Sequence, residues 1–276
     1  MALIHLNGKL IEAAAARIDP SDRGFLLADG LFETLRTYDG RPFRLDRHLA
    51  RLAAGAGLLG LPLPAAAGIA AAVGETLAAN SHRRASLRIT LARGVGPRGL
   101  LPPADASPTL LIASHPLPEG GPASFAAGLV GIRRNEHSPL SQIKSLAYLD
   151  NILALREAAA AGCDEALLLN TAGRPVAGSR SNLFLVRDGT LLTPPASEGL
   201  LPGIARETIL ELAQAAGIRC REMPLTLADL TTADEAFVSN SVIELKPLRL
   251  LAGRAMEAGP MARDLGRRYA EAASRG

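Results

Sequence analysis

The chain has 276 residues, 48% apolar and 21% charged, with 30 basic against 27 acidic side chains and a formal net charge of +3. That length builds one large domain or two modest ones, and the composition excludes disordered, collagen-like and disulfide-scaffold classes. Aromatics make up 3% with no Trp, and no basic run would track a phosphate backbone, so no nucleic-acid partner is expected. Two cysteines, Cys163 and Cys220, suit a reduced, cytoplasmic setting better than a secreted one. The opening MALIHLNGKLI has no basic stretch followed by an apolar one, so no signal peptide is expected. Residues 52–74 carry no charge, but Pro62 and Pro64 interrupt them, which reads as helix, turn and helix and not as a membrane span.

In chain order, Asn7-Gly8 and Asp39-Gly40 lie between apolar runs as two-residue hairpin turns. Helical spacing follows at 46–58 and 65–79, then strands at 86–93 and 109–114. The Pro- and Gly-rich stretch 114–124 reads as a linker and sets the expected domains at 1–118 and 119–276. Beyond it the pattern predicts a strand at 128–134, a long helix over 145–161 and strands at 165–170, 181–186 and 190–194. A helix opening at Pro202-Gly203, a strand at 235–240 and a closing amphipathic helix from about 260 complete an α+β chain.

Only three of the 30 basic residues are lysine: Lys9, Lys144 and Lys246. An amine can lose its proton and attack a carbonyl, whereas a guanidinium cannot. Lys9 sits beside a hairpin turn and Lys246 precedes a proline; Lys144, in LSQIKSLAYLDNILA, lies where desolvation would lower its pKa. A Schiff-base nucleophile and a core-edge lysine both fit that position. Gly94, Gly96 and Gly99 match a dinucleotide-binding spacing, but Pro97 and the prolines at 102 and 103 leave no helix to receive a pyrophosphate. Arg98 in that loop could meet a carboxylate. Pro202-Gly203-Ile204-Ala205 opens a helix whose unpaired N–H groups suit an anion, and Asn240 and Ser241 follow a strand where either ligand binding or turn formation places such residues. The five histidines show no paired metal-ligand spacing, and no metal site is expected.

Several segments together resemble one family: DRGFLLADGLFETLR (22–36), RLDRHLARL (44–52), ARGVGPRG (92–99), IKSLAYLDNILA (143–154), GSRSNLFLV (178–186), GLLPGIARE (199–207) and VSNSVIELKPL (238–248). In this order they are similar to the fold-type IV pyridoxal-phosphate enzymes, which comprise branched-chain and D-amino acid aminotransferases and 4-amino-4-deoxychorismate lyase. The resemblance implies a two-domain α+β fold with pyridoxal 5'-phosphate between the domains, the Schiff-base lysine in the second domain, and a homodimer. It implies Lys144 as the catalytic lysine and later the proton carrier. Arg51 would clamp the cofactor phosphate with the N–H groups of Ile204 and Ala205 and with Asn240 and Ser241, and Tyr148 would meet the cofactor phenolate oxygen. Phe32, Arg36 and Arg98 match pocket-lining positions. The implied activity is amino-group transfer between an amino acid and a 2-oxo acid, with aminodeoxychorismate cleavage as the alternative.

One position departs from the family pattern. Gly173-Arg174-Pro175-Val176-Ala177 puts Ala177 where the family has a glutamate bonded to the pyridine nitrogen, five residues before Asn182. An anion there keeps the ring protonated and electron-withdrawing. A methyl group leaves open a weakly active or non-catalytic relative.

Overall fold

A computed structural model describes residues 2–118 and 120–275. The chain divides into two compact units, one holding residues up to 118 together with Ile143–Ala147, the other Gly120–Gln142 and Tyr148–Arg275.

The first unit contains β1 (Leu3–Leu6), β2 (Lys9–Glu12), α1 (Arg23–Leu27), β3 (Gly30–Tyr38), β4 (Arg41–Pro42), α2 (Leu45–Leu59), α3 (Ala66–Asn80), β5 (Ala85–Ala92) and β6 (Thr109–Pro116). Its six strands run in the order β2-β1-β6-β5-β3-β4. Both dipeptide turns join antiparallel pairs as expected. The strand after Asp39-Gly40 lasts only two residues before the chain enters α2. Alternation along β3 sends Leu31, Glu33, Leu35 and Thr37 to the buried face. There Leu31 and Leu35 join Leu49, Leu52 and Ala56 of α2 and Ile69, Val73 and Leu77 of α3 in one core.

The second unit contains β7 (Phe125–Arg134), α4 (Leu149–Ala160), β8 (Glu165–Asn170), β9 (Pro175–Gly178), β10 (Asn182–Arg187), β11 (Thr190–Thr193), α5 (Ile204–Ala215), β12 (Cys220–Glu222), α6 (Leu227–Thr232), β13 (Glu235–Asn240), β14 (Glu244–Leu251), β15 (Arg254–Ala255) and α7 (Pro260–Arg275). The sheet runs β12-β11-β10-β13-β14-β7-β8-β9, and β9 also pairs with β10, so six strands close on themselves. Phe125, Leu167, Leu183, Leu185, Val238 and Leu248 pack in one core, and Phe184 stacks on Phe237 at 4.9 Å. No helix among the described residues is long and apolar enough to cross a membrane.

Two expectations change. The helix expected from 145 begins at Leu149, because residues 143–147 are extended and held by β3. Phe32 N donates to Lys144 O at 2.9 Å, Leu146 N donates to Gly30 O at 2.9 Å, and Leu31 bridges Ser145 antiparallel. A Cβ on Gly30 would stand 2.8 Å from the Leu146 side chain and 2.5 Å from Leu91 O, so only glycine admits this approach. Lys144, expected in the second domain, therefore belongs to the first unit.

Candidate active site

Backbone pairing to β3 sets Lys144 beside Phe32, with its Nζ 4.4 Å from the ring centroid. The Arg88 guanidinium, from β5, lies 3.9 Å from the same centroid. Removal from water lowers the Lys144 amine to about 8; Arg51 and Arg88 push the same way and Glu33 opposes them. An amine so tuned carries a usable neutral fraction near neutral pH.

Behind the lysine lies a buried ionic cluster. Arg51 donates from Nε to Glu33 Oε1 at 2.8 Å and from Nη2 to Oε2 at 2.6 Å, a two-point grip on one carboxylate. His48, one helical turn before Arg51 on α2, places Nδ1 2.7 Å from the same Oε2. Glu33 and His48 are each 1% exposed at the side chain and Arg51 12%. Burial would raise the Glu33 carboxyl, but Arg51 and His48 outweigh it and bring it to about 2. Burial lowers the His48 imidazole more than Glu33 raises it, so neutral His48 donates from Nδ1 to the glutamate.

The other expected residues of this unit lie at different places in it. Arg36 stacks on Tyr38 at 4.9 Å, on the same strand face as Phe32. Arg98 is exposed in the loop between β5 and β6. That loop is strapped to α1 by Arg23, whose guanidinium donates to Gly99 O at 2.8 Å and Leu100 O at 2.9 Å while its Nε pairs with Asp29.

In the second unit, α5 starts at Ile204 behind Gly203 with no side-chain cap, so the first N–H groups, including those of Ile204 and Ala205, point out of the helix start. Asn182 fixes the approach, its Nδ2 donating to Leu201 O at 2.9 Å. On the strand paired with β10, opposite Asn182, stands Ser239, whose buried hydroxyl has no hydrogen-bond partner. Asn240 spends its side chain on the turn: Oδ1 accepts from Val242 N and Ile243 N at 2.8 and 2.9 Å, and Nδ2 donates to Arg180 O at 3.0 Å. Ser241 follows in that turn. Tyr148 precedes α4 and is an electrostatic neighbour of Arg134, whose guanidinium burial lowers and Tyr148 and Asp150 raise. Ala177 sits on β9 opposite Leu168 and Asn182 and packs with Val176 and Leu200. Glu165, buried on β8, is engaged by Ser181 Oγ at 2.8 Å, Ser179 N at 2.9 Å and the Ser179 hydroxyl.

Sequence reading missed Glu33, His48, Arg88 and Ser239. The His48-x-x-Arg51 spacing, which puts both on one helix face, and a charge amid the apolar positions of β3 were the available signals. Among the described residues no cluster of His, Cys, Asp and Glu could hold a metal ion.

A buried lysine whose amine is lowered to about 8 has the chemistry to attack a carbonyl. Residues 30–251 match the amino-transferase class IV family, and the chain belongs to that family. It is 39% identical over 254 residues to a putative branched-chain-amino-acid aminotransferase of Methanocaldococcus jannaschii, covering 91% of this chain and 88% of that protein. It is 32% identical over 249 residues to the aminodeoxychorismate lyase of Bacillus subtilis, covering 89% and 85%. Among solved structures it resembles the branched-chain aminotransferase of Thermoproteus uzoniensis with norvaline, with a TM-score of 0.94, 31% identity and coverage of 99% of this chain and 95% of that one.

Proposed function

We propose that this protein is a pyridoxal 5'-phosphate-dependent aminotransferase that moves an amino group between an amino acid and a 2-oxo acid, with Lys144 as its catalytic lysine. The observation that carries the reading is the Lys144 amine, over Phe32 and lowered to about 8, beside an arginine gripped by a buried carboxylate. The residues fit the cofactor: the uncapped start of α5 and the unpartnered Ser239 hydroxyl suit a phosphate, and the amine suits an aldehyde.

When bound, the cofactor supplies an aldehyde that condenses with amines and a ring that withdraws electrons from the substrate α-carbon. Lys144, once neutral, would serve as the nucleophile and would then carry a proton at the substrate α-carbon. Arg51, the N–H groups of Ile204 and Ala205, the Ser241 hydroxyl and the turn built by Asn240 are the groups that would hold the phosphate. Tyr148 would donate to the cofactor's phenolate oxygen, and Phe32, Arg36 and Arg98 would receive the substrate. The Ala177 methyl offers the ring nitrogen no anion. A cytoplasmic homodimer belongs to the same reading.

Borohydride reduction of cofactor-saturated protein followed by peptide mass mapping tests the assignment: a pyridoxyl group on Lys144 supports it, and its absence there refutes it. A half-reaction with branched-chain L-amino acids and with D-alanine should then yield the matching 2-oxo acid. Similarity to the Bacillus subtilis lyase supports a second reading, which predicts pyruvate from aminodeoxychorismate with no 2-oxo acid acceptor present. Trapping at Lys144 without turnover of any of these substrates would mark a weakly active or non-catalytic relative.

A further inference from the structure

We infer that Glu33, seated by His48, is the positioning residue of the phosphate clamp: it fixes the Arg51 guanidinium for a phosphate monoester. The inference rests on the functional reading above and extends it to two residues that do not themselves touch the cofactor in that reading.

The geometry carries the argument. A guanidinium on a flexible stem samples many rotamers, and each must be abandoned before it grips an anion. Here Nε and Nη2 are both committed to the two oxygens of one carboxylate, which fixes the guanidinium plane and therefore the direction in which Nη1 faces. The carboxylate is fixed in turn, since Glu33 lies within the backbone pairing of β3 with β5 and receives a third hydrogen bond from His48 at 2.7 Å. Strand and helix thus lock a five-atom plane between them. Buried at 1% exposure, Glu33 is costly unless paired. A core-filling role would be met more cheaply by an apolar residue, as Leu31 and Leu35 fill the same face.

The charges around the lysine support the same placement of Glu33. Lys144 feels Arg51 and Arg88 as like charges and Glu33 as the opposing one. Neutralising Glu33 removes the opposing charge and leaves Arg51 uncompensated, so both changes push the amine in one direction, toward loss of its proton.

The test uses the full chain and the variant Glu33→Gln, with two probes, pyridoxal 5'-phosphate and its phosphate-free analogue pyridoxal, measured by calorimetry. Loss of a charged two-point bond should weaken the phosphate ester by about 10- to 100-fold and leave pyridoxal within about 2-fold. In parallel, lysine side-chain 13C NMR of cofactor-free protein follows the chain's three lysines, with Lys144 assigned by its loss in Lys144→Met. Its titration should move below that of the wild type, a change that a packing role for Glu33 would not produce. If Glu33→Gln does not fold, His48→Phe, which keeps a ring and removes the Nδ1 donor, should show the same selective loss at about 3- to 10-fold. Equal losses for both probes, or an unshifted Lys144 titration, overturn this inference alone. A wild type that binds neither probe overturns the functional reading with it.

Discussion

Lys144 should be far more nucleophilic than an ordinary lysine before any cofactor is added. With the amine lowered from 10.5 to about 8, about one molecule in ten carries it neutral at pH 7, against about one in three thousand for a free side chain, a ratio of roughly 300. Half-burial slows every reagent, so the pH of half-maximal reactivity is the cleaner readout. Reductive methylation across pH 6–11, with free Nα-acetyl-lysine as internal standard and peptide mapping of each lysine, should give a midpoint near 8 for Lys144. The same shift has a stability consequence with a definite sign. Between about 8 and 10.5 the unfolded chain holds this proton more tightly than the folded one, so stability rises with pH through that window. Lys144→Met should flatten that rise. A midpoint at the standard's value, with an unchanged slope in the variant, would refute the claim that desolvation and the two arginines set this amine.

Three further outcomes follow from other parts of the molecule. Ala177→Glu should speed α-proton transfer roughly tenfold, the factor that 1.4 kcal/mol of added carbanion stabilisation supplies; single-turnover rates with α-deuterated donor measure it, and an unchanged or slower rate means the ring nitrogen is served otherwise. Glu33, held at about 2, contributes stability that is present above its ordinary 4.5 and lost as pH falls from there toward 2. Urea unfolding at pH 6 and pH 3 should therefore show a steeper acid loss in wild type than in Glu33→Gln, by about 2 kcal/mol between the two pH values. Gly203→Ala would bring a Cβ to 2.1 Å from Asn182 Oδ1, displacing the side chain that holds the entry to α5; a cost of about 1–3 kcal/mol in urea unfolding is expected, and wild-type stability would contradict it.

The parts of the fold legible in the sequence were those whose cause is local. Asn7-Gly8 and Asp39-Gly40 fix their turns by their own backbone preferences, and α2, α5 and α7 each carry an apolar stripe along one face. The early start given to α4 failed for the opposite reason: residues 143–147 have a helical pattern but are claimed by an edge of β3 more than a hundred positions earlier. The capping box of α6, Thr226 with Asp229, was readable and was overlooked. At the site, the scarcity of lysine pointed to Lys144, because no other side chain near it offers the same chemistry. Glu33 was hidden by its setting, since one acid in a strand looks like a solvated position until a helix brings His48 and Arg51 against it.

The groups around Lys144 also decide which of them can move a proton. A guanidinium is too weak an acid to serve as a proton carrier in a protein. Glu33, held at about 2 by its partners, is too weak a base to take one near neutrality. His48 is neutral, but burial lowers it and its Nδ1 hydrogen is given to Glu33, so protonating it means charging a ring that is 1% exposed. Lys144 alone in this cluster has an amine near 8, close enough to neutrality to be a base in one step and an acid in the next. Arginine at position 144 would keep the charge and the contact with Phe32 and still lose the reaction.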